Sequence, residues 1–305
     1  MIVVVCPGQG SQTPGFLAPW VTEPRFRDHL EALSSSIDVD LLAHGTVSDA
    51  VTIRDTAVAQ PLIVAAGLIT LGALRAARPG SIHGIAGHSV GELTAASGAG
   101  ILSEADAMHL VHERGQAMAA AAALEHTGMS AVIGADEDEL LDRLTELGLE
   151  PANFNGSGQI VVAGSVSALA ALRDDPPAKS RVIPLEVAGA FHTRYMAPAV
   201  ERMRTMAARM VTADPTIPIW SNSDGGIVTS GTQFLDSLVS QVSSPVRWDL
   251  TMQSIADAGA TGVIELAPAG ALTGLIKRGI KGLPTVAVKS PADLPAAIAL
   301  IDGDA

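Results

Sequence analysis

The chain has 305 residues, 48% of them hydrophobic but only 3% aromatic, and carries 32 acidic against 19 basic side chains for a net charge of −13. That length permits two domains or one large one, and the composition argues against disordered and fibrous classes in favour of a soluble α/β protein. The acidic balance and the lack of any Lys/Arg-rich block argue against nucleic acid and anionic membrane surfaces as partners.

The first predicted element is a buried strand over 2–5, ended by Cys6 and the turn Pro7-Gly8-Gln9-Gly10. Cys6 is the single cysteine, so no internal disulfide forms, and it reads as a small buried hydrophobe. The turn lacks the glycine spacing of phosphate-binding loops and offers exposed backbone amides at a strand end. The N-terminus lacks a basic region and a signal-length apolar core, and no uninterrupted apolar run reaches the length of a membrane span. A cytoplasmic location is therefore expected. An apolar helix follows over 60–77 with Pro61 near its start, and then a strand over 82–86.

Gly87-His88-Ser89-Val90-Gly91-Glu92 comes next, between that strand and the helix-forming Leu93-Thr94-Ala95-Ala96-Ser97. Strand, Gly-x-Ser-x-Gly and helix form the nucleophile-elbow pattern. Ser89 would stand on a sharp turn, with Gly87 and Gly91 admitting neighbouring backbone, and the helix start would present amides to an oxyanion. An ordinary strand-to-helix turn is the alternative. Ser103-Glu104-Ala105-Asp106 then predicts a capping box. Its helix carries Ala107, Leu110, Val111, Arg114, Ala117, Met118 and Ala121 on one face. Arg114 thus lies on an apolar stripe. Pattern alone favours a structural ion pair or a snorkelling side chain over a fork for a substrate carboxylate.

Residues 128–185 have a different rhythm. A strand over 130–133, a charged helix over 136–147, a strand over 160–163 after Gly156-Ser157-Gly158, a Ser-capped helix over 165–173 and a strand over 181–187 read roughly as βαβαβ. A helix over 195–210 resumes the larger unit. Strands are predicted at 217–220, 262–266 and 285–288, and 224–232 reads as a Gly-rich surface loop. Alternating strands and helices imply a mainly parallel sheet in the larger unit.

A serine nucleophile needs a base and a group to orient that base. Of eight histidines, His192 in Ala190-Phe191-His192-Thr193 has the most suitable setting, an apolar loop leading into a helix. His88, next to Ser89, should diverge from the serine hydroxyl. Sequence alone does not single one out.

Pro7–Gln12, Gly87–Glu92, Arg114–Met118, Asn153–Gly164, Ala190–His192, Gln241–Trp248 and Leu272–Arg278 occur in the order seen in malonyl-CoA:acyl carrier protein transacylases. The chain resembles that family along essentially its whole length, most nearly its actinobacterial members serving type II fatty acid synthesis. The resemblance implies an α/β-hydrolase-like, parallel-sheet large subdomain (1–126 and 190–305) with an inserted ferredoxin-like small subdomain (127–189). It implies ping-pong malonyl transfer from malonyl-CoA to the phosphopantetheine thiol of acyl carrier protein by a monomer, with no metal or redox cofactor. Ser89 would be the nucleophile, His192 its base, and the backbone carbonyl of Gln241 the orienting group. Amides of Gln9 and Val90 would form the oxyanion hole, Arg114 would hold the malonyl carboxylate, Asn155 would line the cleft, and Phe191 would crowd an α-methyl branch. Ala267-Pro268-Ala269 departs from the family's Gly-Pro-Gly. An acidic carrier protein meeting an acidic chain requires a local basic patch, for which Arg194, Lys277 and Arg278 are candidates. The same chemistry would serve a polyketide synthase or a malonate decarboxylase. An esterase or thioesterase and a non-catalytic binding module are the rivals from other classes.

Overall fold

The computed structural model describes residues 1–304. Its strands are β1 (Ile2–Cys6), β2 (Gly84–Gly87), β3 (Thr127–Ile133), β4 (Glu150–Phe154), β5 (Gln159–Ser165), β6 (Arg181–Leu185), β7 (Ile219–Trp220), β8 (Ile227–Val228), β9 (Val246–Arg247), β10 (Gly262–Glu265) and β11 (Thr285–Ala287). They form two sheets, one in the order β11-β10-β1-β2-β7-β8 and one in the order β6-β3-β5-β4-β9.

The larger sheet is parallel from β11 to β7, with β8 antiparallel at the edge. β1 lies at its centre, and both of its faces are covered. Ile2, Val4 and Cys6 join one apolar cluster, whereas Val3 and Val5 join another. Alternate side chains point to opposite faces, so a continuous apolar run is what a strand buried on both sides requires. Each fully buried valine contributes roughly 1.5–3 kcal/mol. Burial pushes the Cys6 thiol well above its usual range, as expected of an inert core cysteine.

The helix Thr56–Ala77 opens one turn earlier than the apolar run suggests, because the Asp55 side chain accepts from the Ala57 amide at 2.8 Å and caps it. Pro61 therefore sits inside the helix. With its first turn included, this helix is long and apolar enough to cross a membrane, but 83% of the qualifying window is buried inside the fold. Its apolar surface goes into the core. The helix Glu104–Ala122 begins at Ser103, whose hydroxyl accepts from the Asp106 amide; the Asp106 carboxylate returns to that hydroxyl rather than to the backbone, so the capping box is only half made.

The smaller sheet corrects the expected βαβαβ to βαββαβ. Glu150–Phe154 forms a further strand, antiparallel to β5 across the Gly156-Ser157-Gly158 turn. Its alternation is disguised by a register shift between Pro151 and Asn153. β9, far along the chain, pairs in parallel with β4 and so joins the smaller sheet to the segment that follows the larger sheet's β7. The loop expected over 224–232 contains β8 and the start of the helix Gly231–Gln241. A two-residue strand leaves no periodicity to read.

Glu265 is fully buried at the end of β10. Its carboxylate accepts from the Leu272 and Thr273 amides at 2.9 and 2.7 Å, capping the helix Ala271–Gly279. β1, β2 and β10 run the same way, so the turns after all three open at one end of the sheet, where parallel sheets bind ligands.

Candidate active site

Ser89 occupies the turn between β2 and the helix Gly91–Gly98 with a φ of 53°. That left-handed conformation is strained for a residue with a Cβ and lifts the side chain clear of the sheet. The two flanking glycines are fixed by contact. A Cβ on Gly91 would lie 2.1 Å from the Cys6 carbonyl oxygen, and one on Gly87 would lie 2.1 Å from the Glu92 nitrogen. The turn is further tied down by Asn222, just beyond β7. Its Oδ1 accepts from the Ser89 amide at 2.7 Å, and its Nδ2 donates to the Gly87 carbonyl at 2.7 Å.

His192 Nε2 lies 2.7 Å from Ser89 Oγ, and His192 Nδ1 lies 2.8 Å from the Gln241 carbonyl oxygen. A carbonyl only accepts. Nδ1 therefore carries the proton of the neutral ring, and Nε2 is free to take the serine proton. The backbone holds this pose as well, since the His192 amide donates to the Val242 carbonyl at 3.1 Å and His192 itself has a φ of 63°. Burial, and then the charge of Arg114, push the His192 pKa down to about 3. The imidazole consequently stays neutral as a resting base. His88 turns elsewhere, with its Nε2 3.1 Å from Asn155 Oδ1 and its ring edge-on to Trp248.

Arg114 is only 1% exposed. None of its contacts is a carboxylate. Nη1 donates to Gln60 Oε1 at 2.8 Å, and Nη2 donates to Gln241 Oε1 at 2.8 Å and to Ser89 Oγ at 3.3 Å. Nε has no partner among the described residues. Burial pulls its pKa down to about 10 against the opposing influence of Glu92. A buried cation without an ion pair is costly, and here it is held beside the Ser89 hydroxyl. The structural ion pair that the sequence pattern favoured is absent among the described residues, as is snorkelling.

Glu92 completes the web behind the site. Its Oε1 accepts from the Asn222 amide at 2.6 Å and its Oε2 from Gln241 Nε2. Burial pushes its pKa up to about 8, opposed by the Asn222 amide and Arg114. The Gln9 amide, in the turn after β1, and the Val90 amide, at the start of the helix Gly91–Gly98, make no hydrogen bond to other described residues. Gln9, Ser89, Asn155, Phe191 and His192 all line a cleft of about 670 Å³, as do Met129 and Asn153 from the smaller sheet. Val90, Arg114 and Gln241 lie outside that lining, behind Ser89.

Residues 3–295 match the acyl transferase domain family. The chain is 51% identical over 296 residues to the malonyl CoA-acyl carrier protein transacylase of Mycobacterium tuberculosis, covering 96% of this chain and 98% of the relative. The chain belongs to the malonyl CoA-acyl carrier protein transacylase family. A crystal structure of the Mycobacterium tuberculosis MCAT superposes with a TM-score of 0.93 at 49% identity, covering 97% of this chain and 99% of that one. A malonyl-transacylase solved in complex with a type II PKS acyl-carrier protein superposes at 0.91 with 29% identity over 99% of each chain.

As members of this family are acyltransferases, the cleft rim matters as well as its floor. Of the three rim cations expected from sequence, Arg278 lines the cleft and donates to Gln159 Oε1 at 3.2 Å. Arg194 is instead paired with Glu150, and Lys277 lies outside the lining. Arg54 lines the cleft too, paired with Glu186 at 2.7 Å. The sequence did not point to Gln60, Asn222 or the side-chain roles of Glu92 and Gln241. Gln60 and Glu92 did carry a signal, as lone polar residues inside apolar helical or strand-turn segments, where a buried polar group needs a partner.

Proposed function

We propose that this chain transfers the malonyl group of malonyl-CoA to the phosphopantetheine thiol of acyl carrier protein through a malonyl-serine ester, supplying extender units for fatty acid synthesis. Ser89 Oγ attacks the thioester carbonyl while its proton passes to His192 Nε2. The oxyanion is received by the amides of Gln9 and Val90. The tetrahedral adduct collapses with release of CoA sulfur, which takes the proton from His192. The carrier-protein thiol then gives its proton to His192, attacks the ester and regenerates Ser89. Every proton and bond balances without metal or redox cofactor.

The observation that carries this function is the buried Arg114 guanidinium, which bonds no carboxylate among the described residues and lies 3.3 Å from the Ser89 hydroxyl. A carboxylate on the acyl chain satisfies it; a neutral acyl group leaves it unpaired. Phe191, on the cleft lining beside His192, crowds an α-branched acyl chain, an effect of about 1–3 kcal/mol. Asn155 shapes the cleft with His88.

The βαββαβ order of the smaller sheet supports a ferredoxin-like subdomain over 127–189, inserted in an α/β-hydrolase-like subdomain of 1–126 and 190–305, with the site between them. The exposed large apolar side chains are spread over several segments, with Val47 and Val51 near one another and Ile183 and Leu185 both on β6, and we read the chain as a monomer acting in the cytoplasm. Partners are malonyl-CoA and acyl carrier protein, with no nucleic acid and no membrane.

Intact-mass measurement after incubation with malonyl-CoA tests this function. A malonyl adduct on the wild type, absent in Ser89→Ala and discharged by holo acyl carrier protein, is expected. Steady CoA release without an acceptor and without an adduct would establish a thioester hydrolase instead.

A further inference from the structure

Glu92 is fully buried behind Ser89, yet no step of the transfer uses it. What it does is set the direction of a hydrogen-bond chain. The Asn222 amide is a fixed backbone donor and occupies Glu92 Oε1. Glu92 Oε2 accepts from Gln241 Nε2, so the Gln241 amide turns its NH₂ towards Glu92, a direction that holds for the ionised carboxylate, above its pKa of about 8, and the assays below are therefore run at pH 9. The same NH₂ faces two further acceptors, the Ser89 carbonyl and Asn222 Oδ1, each at 3.3 Å. The carbonyl end of that amide is thereby left for Arg114 Nη2, which it receives at 2.8 Å. Glu92, seconded by the two longer contacts, thus orients one amide so that Arg114 meets an oxygen and that oxygen is neutral.

We propose that Glu92 is a positioning residue for donor selection: by orienting the Gln241 side chain it holds the Arg114 guanidinium beside Ser89 while keeping it one neutral amide away from any carboxylate. This rests on the transacylase function above and deepens it. An acid placed directly against Arg114 would spend the charge that the donor's carboxylate needs. An unoriented amide could instead present NH₂ to the guanidinium, setting donor against donor in a buried site. The side chain of Gln241 therefore serves selection, while its backbone carbonyl orients His192, and the two roles can be separated by substitution.

Glu92→Gln supplies the test. The new amide must face the Asn222 amide with its oxygen, because that backbone donor cannot turn. Its NH₂ then faces the Gln241 NH₂, and the clash is relieved either by withdrawal of the Gln241 side chain from Arg114 or by a flip of its amide, which sets its oxygen against the Ser89 carbonyl and Asn222 Oδ1. Flipping puts NH₂ against Arg114 and displaces it, but leaves the 241 carbonyl on His192. The readout is the ratio of kcat/KM for malonyl-CoA to that for acetyl-CoA. Glu92→Gln should lower that ratio at least tenfold. Glu92→Asp, which preserves the direction of the chain, should stay within about threefold of wild type. The double variant Glu92→Gln/Gln241→Glu restores the donor–acceptor match between positions 92 and 241 and places a carboxylate against Arg114, although it removes the NH₂ that faced the Ser89 carbonyl and Asn222 Oδ1. Its thermal midpoint should rise above that of Glu92→Gln while the ratio stays low.

A purely structural Glu92 would slow both donors alike. A folded Glu92→Gln with the wild-type ratio overturns the proposal, as does a double variant that regains the ratio together with stability. If Glu92→Gln does not fold, Glu92→Ala carries the test: a tenfold fall of the ratio supports the proposal and the wild-type ratio overturns it. A wild type that forms no malonyl adduct sinks the transacylase function itself; a normal wild-type adduct with an unchanged ratio in Glu92→Gln sinks only the role of Glu92.

Discussion

The arginines at the floor and at the rim of the cleft differ in what they touch. At the rim, Arg54 is paired with Glu186, and outside the lining Arg194 is paired with Glu150; all four side chains are partly exposed. Behind the floor, Arg114 is buried and, among the described residues, bonded only to neutral groups, Gln60, Gln241 and Ser89. A solvated arginine already paired with a carboxylate has little left to give a ligand. A buried one whose partners are all amides and hydroxyls keeps an unspent charge, and the fold bears the cost of holding it there. Burial together with the absence of a counterion is therefore the sign of chemistry, and the mere presence of cations around a cleft is not.

The contrast can be sharpened by removing the group that shares the floor with Arg114. His192→Ala should lower the rate of malonyl-enzyme formation by about 10⁴-fold, because Ser89 then has no base, and stopped-flow release of CoA reads this directly. The rim gives a smaller effect. Arg278, which bonds Gln159 and has no carboxylate partner among the described residues, is the rim cation still available to an acidic carrier protein. Arg278→Glu should lower kcat/KM for carrier protein by about tenfold at low ionic strength, with the difference closing as salt is raised, while acylation by malonyl-CoA is unchanged. Equal carrier-protein kinetics at low salt would remove Arg278 from the docking surface.

Acidity separates the two regions again. His192 is held down to about 3 by burial and by Arg114, so it remains a neutral base through the range in which an ordinary imidazole protonates. Single-turnover acylation should stay flat between pH 7 and 5 instead of falling through 6.5. The sign for stability follows. Between 6.5 and about 3 the unfolded chain binds a proton at this position and the folded chain does not, so His192 lowers stability as pH falls through that window. Denaturation midpoints of His192→Gln should decline less steeply there than those of wild type. Smallest of all, Arg54→Ala removes only a half-exposed ion pair and should shift unfolding free energy by no more than about 1 kcal/mol in chemical denaturation.

Much of the floor was legible in sequence because it depends on local geometry. Gly-x-Ser-x-Gly after a short apolar strand fixes the elbow, and the helical spacing of Ala107, Leu110, Val111 and Arg114 places the guanidinium on a buried face. Pattern could not decide whether that guanidinium had a counterion, since its neighbours Gln60 and Gln241 come from helices 54 and 127 residues away in the chain. The choice of His192 among eight histidines, and of a carbonyl as its partner, came from family resemblance; a backbone acceptor leaves no side-chain signature. The fold was legible where elements were long. It was missed at β4, broken by a bulge after Pro151, and at β8 and β9, which are two residues each and owe their existence to neighbours already in place. The pairing of β9 with β4, which brings the two sheets' segments together around the cleft, follows from long-range contact alone.

On the proposed function, Arg114 keeps its charge for a carboxylate on the acyl donor. Single-turnover acylation of wild type and Arg114→Ala by malonyl-CoA and by acetyl-CoA, followed by intact mass, tests it most directly. Losing charge-assisted hydrogen bonds worth about 1.5–3 kcal/mol each should lower malonyl acylation by roughly 10- to 10³-fold. Acetyl acylation should fall far less or even rise, so that the preference disappears. Equal losses for both donors, with malonyl still preferred in Arg114→Ala, would contradict the account.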